Sequence, residues 1–248
     1  MLDPHPPHPD PTDPQPPARP DPDHRHLLEV ARDHALVVNE AQAHFFDWLG
    51  PFERYHSDDT EPVIYFDEHP IRVQWLGSVS NTSRTWLWAW ANPGFATSET
   101  AGWTEAATWL RDQAPRQDEF WQLRTPLFPI PLVPGQPEAT WPVSYLAFTL
   151  LRPKALFSLP HADGRSFLSI HDEAVPWAQP DPDRFADLLT RTLHRAGGGA
   201  AGMIRAYARW YSLPLTGLDA DRPDRATLHF GPERALHLQV SDTDVRFG

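Results

Sequence analysis

The residues most able to do chemistry in this sequence are three tryptophans spaced two apart, Trp86, Trp88 and Trp90. In an extended strand, residues at this spacing project from the same side, so the three indole rings would form one aromatic surface. Each indole N–H requires a hydrogen-bond acceptor when it is buried. Two interpretations follow: the rings build the core between a sheet and its helices, or they line a pocket for a sugar, a base or a peptide.

Asn92 follows the third tryptophan and directly precedes Pro93. An asparagine at a strand end commonly caps the following turn, because its short side chain bonds the nearby backbone. The alternative is that the amide contacts a ligand at the edge of the sheet. Asn92 is therefore a candidate ligand contact beside the tryptophans.

A second group of polar side chains lies late in the sequence and comprises His161, Asp163, His171, Asp172 and Glu173. Imidazole and carboxylate groups suit a divalent ion or acid–base chemistry. Their spacing matches no established metal-ligand pattern, and no Gly-x-Ser-x-Gly elbow supplies a serine nucleophile. We therefore expect no metal site and no cofactor, and we retain His161 and His171 as candidate ligand contacts.

Three glycines, Gly197, Gly199 and Gly202, formally match the dinucleotide-binding pattern Gly-x-Gly-x-x-Gly. That pattern has meaning only between a strand and a helix. Here a predicted amphipathic helix, residues 183–195, precedes it. We interpret the glycines as a connection between helices, and residues 197–199 as a point where the domain would subdivide.

Composition excludes several classes of function. The chain lacks cysteine, which removes disulfides, thiolate zinc sites and cysteine nucleophiles. Its formal net charge is −12 and no segment forms a basic stripe, so we expect neither nucleic-acid nor membrane binding. An acidic surface is compatible with a basic protein partner. The sequence shows no secretory signal and no apolar run of about 20 residues, so a cytoplasmic location is expected.

Hydrophobic periodicity predicts the elements that position these residues. Residues 1–25 are dominated by proline, aspartate and histidine, which predicts a disordered tail. Helices are predicted over 26–49, 98–112, 141–151, 183–195 and 201–210. Strands are predicted over 63–66, 71–78, 84–91, 155–159, 166–170, 226–230, 235–240 and 245–247.

The order of these elements predicts one α+β domain over residues 26–248, an antiparallel sheet with helices packed on its aromatic face. Short polar turns join the first three strands, which favours a meander. The last helix and strands repeat the order of the first helix and strands. A diverged internal repeat is therefore an alternative to a chance recurrence of a common arrangement.

The segment around the tryptophans resembles a family of uncharacterised bacterial proteins known only as a domain of unknown function. The similarity rests on Leu76-Gly77-Ser78, followed by the segment Trp86-Leu87-Trp88-Ala89-Trp90-Ala91-Asn92-Pro93. With its flanking helices, the resemblance covers about residues 30–175. It implies a type of fold and supplies no catalytic residues.

These observations predict a non-enzymatic cytoplasmic binding or interaction domain, with an immunity-type or regulatory role as one concrete form. Its partner would be a basic protein or a small ligand. Two alternatives remain open: an enzyme with its site between the tryptophan strand and residues 161–173, and a small-ligand binder whose pocket is lined by Trp86, Trp88 and Trp90.

Overall fold

The computed structural model describes residues 23–58, 60–97, 100–113, 119–133, 136, 139–219 and 222–248. Over these residues the chain forms six α-helices and two antiparallel sheets, which confirms the α+β class. The tail predicted over residues 1–25 falls outside the described residues up to position 22. Among the described helices, none has the length and apolar character needed to traverse a lipid bilayer.

The six helices alternate with groups of strands along the chain. They are α1 (Arg25–Asp33), α2 (Ala35–Leu49), α3 (Glu105–Gln113), α4 (Trp141–Leu151), α5 (Pro182–Ala196) and α6 (Ala200–Trp210). The single helix predicted over 26–49 is two helices, because the chain departs from helical geometry at His34 (φ −92°, ψ 0°). There the His34 ring Nδ1 lies 2.9 Å from the Val30 carbonyl oxygen, so the side chain contacts a backbone group of α1.

The glycines after α5 form the predicted connection between helices. Gly197 ends α5 with a φ of 73°, and Gly199 precedes α6 with a φ of 88°. Both values lie in the left-handed region that residues with a Cβ avoid. At the other end of α5, the Asp181 side chain accepts hydrogen bonds from the backbone N–H groups of Asp183 and Arg184. The sequence therefore fixes both ends of α5.

The first sheet contains the tryptophan strand. Its strands are β1 (Tyr55–Ser57), β2 (Val63–Phe66), β3 (His69–Ser80), β4 (Thr85–Trp88), β5 (Leu127–Pro129), β6 (Ala155–His161) and β7 (Gly164–Ile170). Strands β1 to β5 follow one another in antiparallel order, which includes the predicted meander of β2, β3 and β4, and β7 pairs with both β3 and β6. The long strand β3 is thus central, and its register with β7 shifts between Trp75 and Gly77.

The strand predicted over 84–91 ends earlier than expected. Strand β4 stops at Trp88, and residues Ala89–Ala91 form a turn of 3-10 helix. Trp90 therefore lies on a helical turn and does not share the strand surface of Trp86 and Trp88. The strict alternation of large and small residues continues through this turn, so periodicity alone could not locate the end of the strand.

The second sheet is formed by the end of the chain. It is a meander of β8 (Leu215–Gly217), β9 (Arg225–His229), β10 (Ala235–Val240) and β11 (Val245–Phe247). It follows α6 as the meander β1 to β4 follows α2, so the order of elements recurs. Because an antiparallel meander is a common arrangement, common descent of the two parts stays a prediction.

Two clusters of buried apolar residues hold the first sheet and its helices together. The larger contains Trp86 and Trp88 with residues of the helices, and it continues to Val245 at the second sheet. The smaller groups Phe45 of α2 with residues of β2, β3, β6 and β7. Helices thus cover the aromatic face of the sheet, as predicted. Residues on both sides of Gly197 share the larger cluster.

Candidate ligand-binding site

Trp86 and Trp88 are sealed in the core. Both are 0% exposed, and their rings pack edge to face with centroids 5.2 Å apart. The Trp88 Nε1–H donates to the backbone carbonyl of Gln122 at 2.7 Å, which satisfies the indole without a ligand. The Trp86 Nε1 has no hydrogen-bond partner among the described residues. Neither ring borders an opening to solvent.

Gly77 explains why Leu-Gly-Ser and the tryptophan strand occur together in the sequence. A Cβ on Gly77 would lie 2.8 Å from two carbon atoms of the Trp86 ring and 2.5 Å from the Leu87 carbonyl oxygen. Any side chain there would displace the indole or the neighbouring strand. The glycine of one motif therefore makes room for the first tryptophan of the other, which is a packing relationship.

Trp90 and Asn92 lie at the surface side of the same segment. Trp90 is half-buried, and the Arg111 guanidinium lies 5.3 Å from its ring centroid, within cation–π range. The Asn92 side-chain oxygen accepts a hydrogen bond from the Gly94 backbone N–H at 2.9 Å. That bond is the turn cap considered in the sequence analysis, so the oxygen is already engaged.

His161 and His171 lie at opposite ends of the β6–β7 hairpin. His161 pairs with Gly164 next to the turn, whereas His171 follows Ile170, which pairs with Ala155 at the far end. Six residues of extended strand separate the two ends by about 20 Å. The described residues contain no group of three or more histidine or acidic side chains placed to hold a metal ion.

The polar neighbours of the two histidines serve the fold. Asp163 accepts hydrogen bonds at 2.5 Å from the hydroxyls of Ser80 and Thr82, and these bonds join two turns of the sheet. The bond from Ser80, followed by that from Thr82, lowers the pKa of the Asp163 carboxyl. The His171 Nε2 lies 3.1 Å from the Ser169 hydroxyl. Because Ser169 is 0% exposed, this serine–histidine pair offers no accessible nucleophile.

An open cavity of about 280 Å³ lies between α2, α4 and the β6–β7 hairpin. Sequence reasoning missed it. Its lining residues come from three separated parts of the chain: Val38, Asn39, Gln42, Thr140, Trp141, Ser144, Tyr145, Leu156, Phe157, Ser158, Arg165 and Phe167.

The floor of this cavity continues the tryptophan surface. In the antiparallel register, Trp86 pairs with Val79 and Val79 with Arg165, so the three side chains lie on one face of the sheet. Phe167 connects the two regions, because its ring lies 5.3 Å from the Trp86 ring and also lines the cavity. The face of the sheet that carries Trp86 and Trp88 thus has a sealed part on β4 and an open part on β6 and β7.

Asn39 and Tyr145 form a fixed polar wall. The Asn39 Nδ2 donates to the Thr192 hydroxyl at 2.8 Å, and the Tyr145 hydroxyl donates to the Asn39 oxygen at 3.0 Å. Burial raises the pKa of Tyr145 to about 12, so the phenol remains a protonated donor at neutral pH. These bonds link α2, α4 and α5 and hold the two helices that bound the cavity.

Other polar groups of the cavity have unused hydrogen-bonding capacity. The Arg165 Nη1 donates to the Ser158 hydroxyl at 2.7 Å, which occupies one of the five N–H donors of the guanidinium. The Trp141 Nε1 is buried without a partner among the described residues. The Gln42 amide likewise makes no hydrogen bond within the described part of the chain. A ligand with acceptor groups could therefore form hydrogen bonds with Arg165 and Gln42.

Helix α2 also carries a buried acid outside the cavity. Glu40 is 0% exposed and contacts the Tyr207 hydroxyl, which donates to its Oε2 at 3.2 Å. Arg184 lies 3.6 Å from its Oε1. Burial raises the pKa of Glu40 to about 7, and Arg184 and Tyr207 only partly oppose this effect. Glu40 and Asn39 are adjacent polar residues in an apolar helix, which is the sequence signal that marks this part of α2.

The fold and site define an α+β protein in which helices pack on an antiparallel sheet, with a small open cavity between α2, α4 and the β6–β7 hairpin. The chain belongs to a family of unknown function, DUF6882, whose sequence profile matches residues 28–173. This match confirms the resemblance to a domain of unknown function. It includes every described residue that lines the cavity, whereas α5, α6 and the second sheet lie beyond it. Searches of curated proteins and of solved structures gave no significant match.

Proposed function

We propose that this chain is a non-enzymatic binding domain that holds a small molecule in the cavity between α2, α4 and the β6–β7 hairpin. The observation that carries the proposal is a pair of incompletely used donors in one open cavity, the Arg165 guanidinium and the Gln42 amide. A ligand with acceptor groups would form hydrogen bonds with both donors.

The composition of the walls supports a small ligand. Leu156, Phe167 and Val38 provide apolar surface, and a few polar groups stand among them. Ligand sites are typically apolar clefts with a small number of placed polar groups. A cavity of about 280 Å³ lies just below the usual range of roughly 300–1,000 Å³ for ligand pockets, which favours a small metabolite over a large cofactor.

The titratable groups of the cavity favour binding over acid–base catalysis. Among the described lining residues these groups are Arg165 and Tyr145. An arginine stays charged in proteins, and the raised pKa of Tyr145 keeps its proton in place at neutral pH. A general acid or base must exchange its proton near the working pH, which the raised pKa of Tyr145 opposes.

A cavity-filling variant tests this function. Wild type and Gln42→Phe would be screened against a set of common metabolites by ligand-observed NMR, with Gln239→Phe on the exposed second sheet as the matched control. We expect ligands that bind wild type and the control and lose at least about tenfold in affinity for Gln42→Phe. Binding to wild type should also change tryptophan emission through Trp141, and Trp141→Phe should remove that change.

Two results would contradict a small-ligand site. One is a complete screen in which no metabolite binds wild type. The other is a ligand that binds wild type and Gln42→Phe equally, because its site would then lie elsewhere. The cytoplasmic location expected from the sequence is part of this proposal, and fractionation of the expressed protein tests it.

A basic protein partner is the second candidate function, in an immunity-type or regulatory role. It is supported by an exposed aromatic patch, in which Trp48 is 40% and Tyr55 39% exposed, beside the carboxylates of Asp47 and Glu53. Aromatic side chains are enriched at the centres of interfaces. Trp48→Ser should abolish binding to a basic protein partner, while Trp177→Ser, at a position that is 55% exposed, should not. Unchanged binding of Trp48→Ser would exclude this patch.

A further inference from the structure

Resting on the proposed function, we infer that the ligand of the cavity is a small organic acid. Its carboxylate binds Arg165, and its apolar body lies against Leu156 and Phe167. The inference assigns a charge and a shape to the ligand, which the binding proposal alone leaves open.

The charges around the cavity favour an anion. Arg165 is the one charged residue among the described residues that line it, and none of those residues is acidic. No described carboxylate lies within ion-pair distance of the Arg165 guanidinium, although the chain has a formal net charge of −12. An arginine held by a single hydroxyl and turned to a cavity retains donors for an incoming anion.

The beginning of α4 reinforces this preference. Thr140 and Trp141, at the N-terminus of the helix, both line the cavity, and the Thr140 side chain forms no capping hydrogen bond. The positive end of a helix dipole attracts anions over its first turn. The helix terminus and the Arg165 guanidinium thus add to one another around the same cavity.

A carboxylate fits this set of groups better than a phosphate does. The planar guanidinium fork matches a carboxylate with two parallel hydrogen bonds. A phosphate monoester carries close to two charges at neutral pH, and the described lining offers one cation for them. Pro142 also lacks an N–H, which removes one backbone donor from the first turn of α4.

The apolar walls set the remainder of the ligand. Leu156 and Phe167 are each below 10% exposed and belong to the large core cluster, so their surfaces are rigid. An aromatic ring or a short alkyl chain would complete that cluster on the cavity side. Phenylacetate and hexanoate are therefore suitable probes, and their amides are neutral molecules of nearly the same shape.

The experiment compares these acids and amides by isothermal titration at neutral pH. We expect wild type to bind each acid at least about tenfold more tightly than its amide. Arg165→Gln should remove that preference, so that each acid and its amide bind with similar affinity. The matched control is Arg191→Gln, an exposed arginine of α5 that pairs with Asp187 away from the cavity, and it should behave as wild type. Equal unfolding midpoints would show that both variants are folded.

Any of four outcomes would overturn the inference. The first is equal affinity for acids and amides, and the second is a preference that survives in Arg165→Gln. The third is tighter binding of phenyl phosphate than of phenylacetate. If the amides bind wild type and lose affinity for Gln42→Phe, the cavity is a ligand site and only the assigned charge is wrong. If no probe binds, which is the fourth outcome, the assignment to organic acids fails, and the metabolite screen alone decides the broader function.

Discussion

The tryptophan pair of β4 and the cavity beside β6 and β7 occupy the same face of one sheet, yet only the second is open. Over Trp86 and Trp88 the helices close completely, and both rings are 0% exposed. Two strands further along, Asn39 and Tyr145 hold α2 and α4 over a cavity of about 280 Å³. The difference lies in the covering layer, because the sheet supplies aromatic side chains in both places.

The most distinctive part of the sequence is therefore a packing motif. The Trp86 ring leaves no space for a side chain on Gly77. The Trp88 indole N–H donates its hydrogen bond to the backbone carbonyl of Gln122. Residues that build a tight core constrain one another and produce a recognisable pattern. The cavity residues constrain one another less, and they come from distant parts of the chain. No short sequence pattern therefore marks them.

The greatest loss in free energy of unfolding is expected for a substitution of Trp88. Trp88→Ala should lower the free energy of unfolding by about 3–5 kcal/mol, because it empties a sealed site and leaves the Gln122 carbonyl without its donor. Urea unfolding followed by circular dichroism measures the change. If the alanine variant fails to fold, Trp88→Phe should show a smaller loss in the same direction. Trp48→Ala, at an exposed site on α2, should cost less than about 1 kcal/mol.

A second prediction concerns Glu40, which lies on the sealed side of α2. Its pKa is raised from 4.5 to about 7 in the folded state, so folding favours the protonated acid. The stabilisation from protonated Glu40 is complete below pH 4.5 and is lost as the pH rises to about 7. Relative to Glu40→Gln, wild type should therefore lose about 3 kcal/mol over this window.

Tyr207→Phe sharpens that prediction. The Tyr207 hydroxyl donates to the carboxylate and partly opposes the effect of burial. Without this bond, the charged form of Glu40 is less stable, and the loss should extend to higher pH. Unfolding curves collected at pH 4 to 8 test both statements. Parallel curves for wild type and Glu40→Gln would show that Glu40 titrates as it does in the unfolded chain.

A third prediction concerns the close contact between Gly77 and the Trp86 ring. Gly77→Ala should cost about 1–3 kcal/mol, because the added methyl group meets the Trp86 ring and the Leu87 carbonyl. The double variant Gly77→Ala with Trp86→Leu should recover part of the loss, since the smaller side chain leaves space. A double-variant effect equal to the sum of the single effects would mean that the two residues do not constrain each other.

Much of the fold could be predicted from the sequence because local patterns determine it. Period-two alternation located β2, β3 and β10, and the helix α4 has the predicted bounds 141–151. Strands β1, β5 and β8 were missed, although the equally short β11 was predicted at 245–247. A segment of three residues carries little periodicity by which to locate it. The break at His34 was missed as well, because the apolar spacing continues across it.

The site was less predictable, because it depends on tertiary contacts. His161 and His171 are ten positions apart in the sequence, but a hairpin places them at opposite ends of two strands. Asn39 and Tyr145 are 106 positions apart and share a hydrogen bond. A polar residue inside an apolar helical stretch, as at Asn39, was the one local signal available. Its partner becomes visible only once the helices are packed.

The smallest change in stability is expected for Gln42→Phe. This substitution tests whether the cavity has space for a side chain where the tryptophan site has none. Gln42→Phe adds an aromatic ring on the cavity side of α2, where space exists, whereas Gly77→Ala adds one methyl group where none exists. The larger substitution should therefore change the free energy of unfolding by less than about 0.5 kcal/mol, and the smaller one by several times more. Urea titration of both variants gives the comparison directly. If Gln42→Phe is as destabilising as Gly77→Ala, the cavity is too tight for a side chain, and the contrast between the two regions disappears.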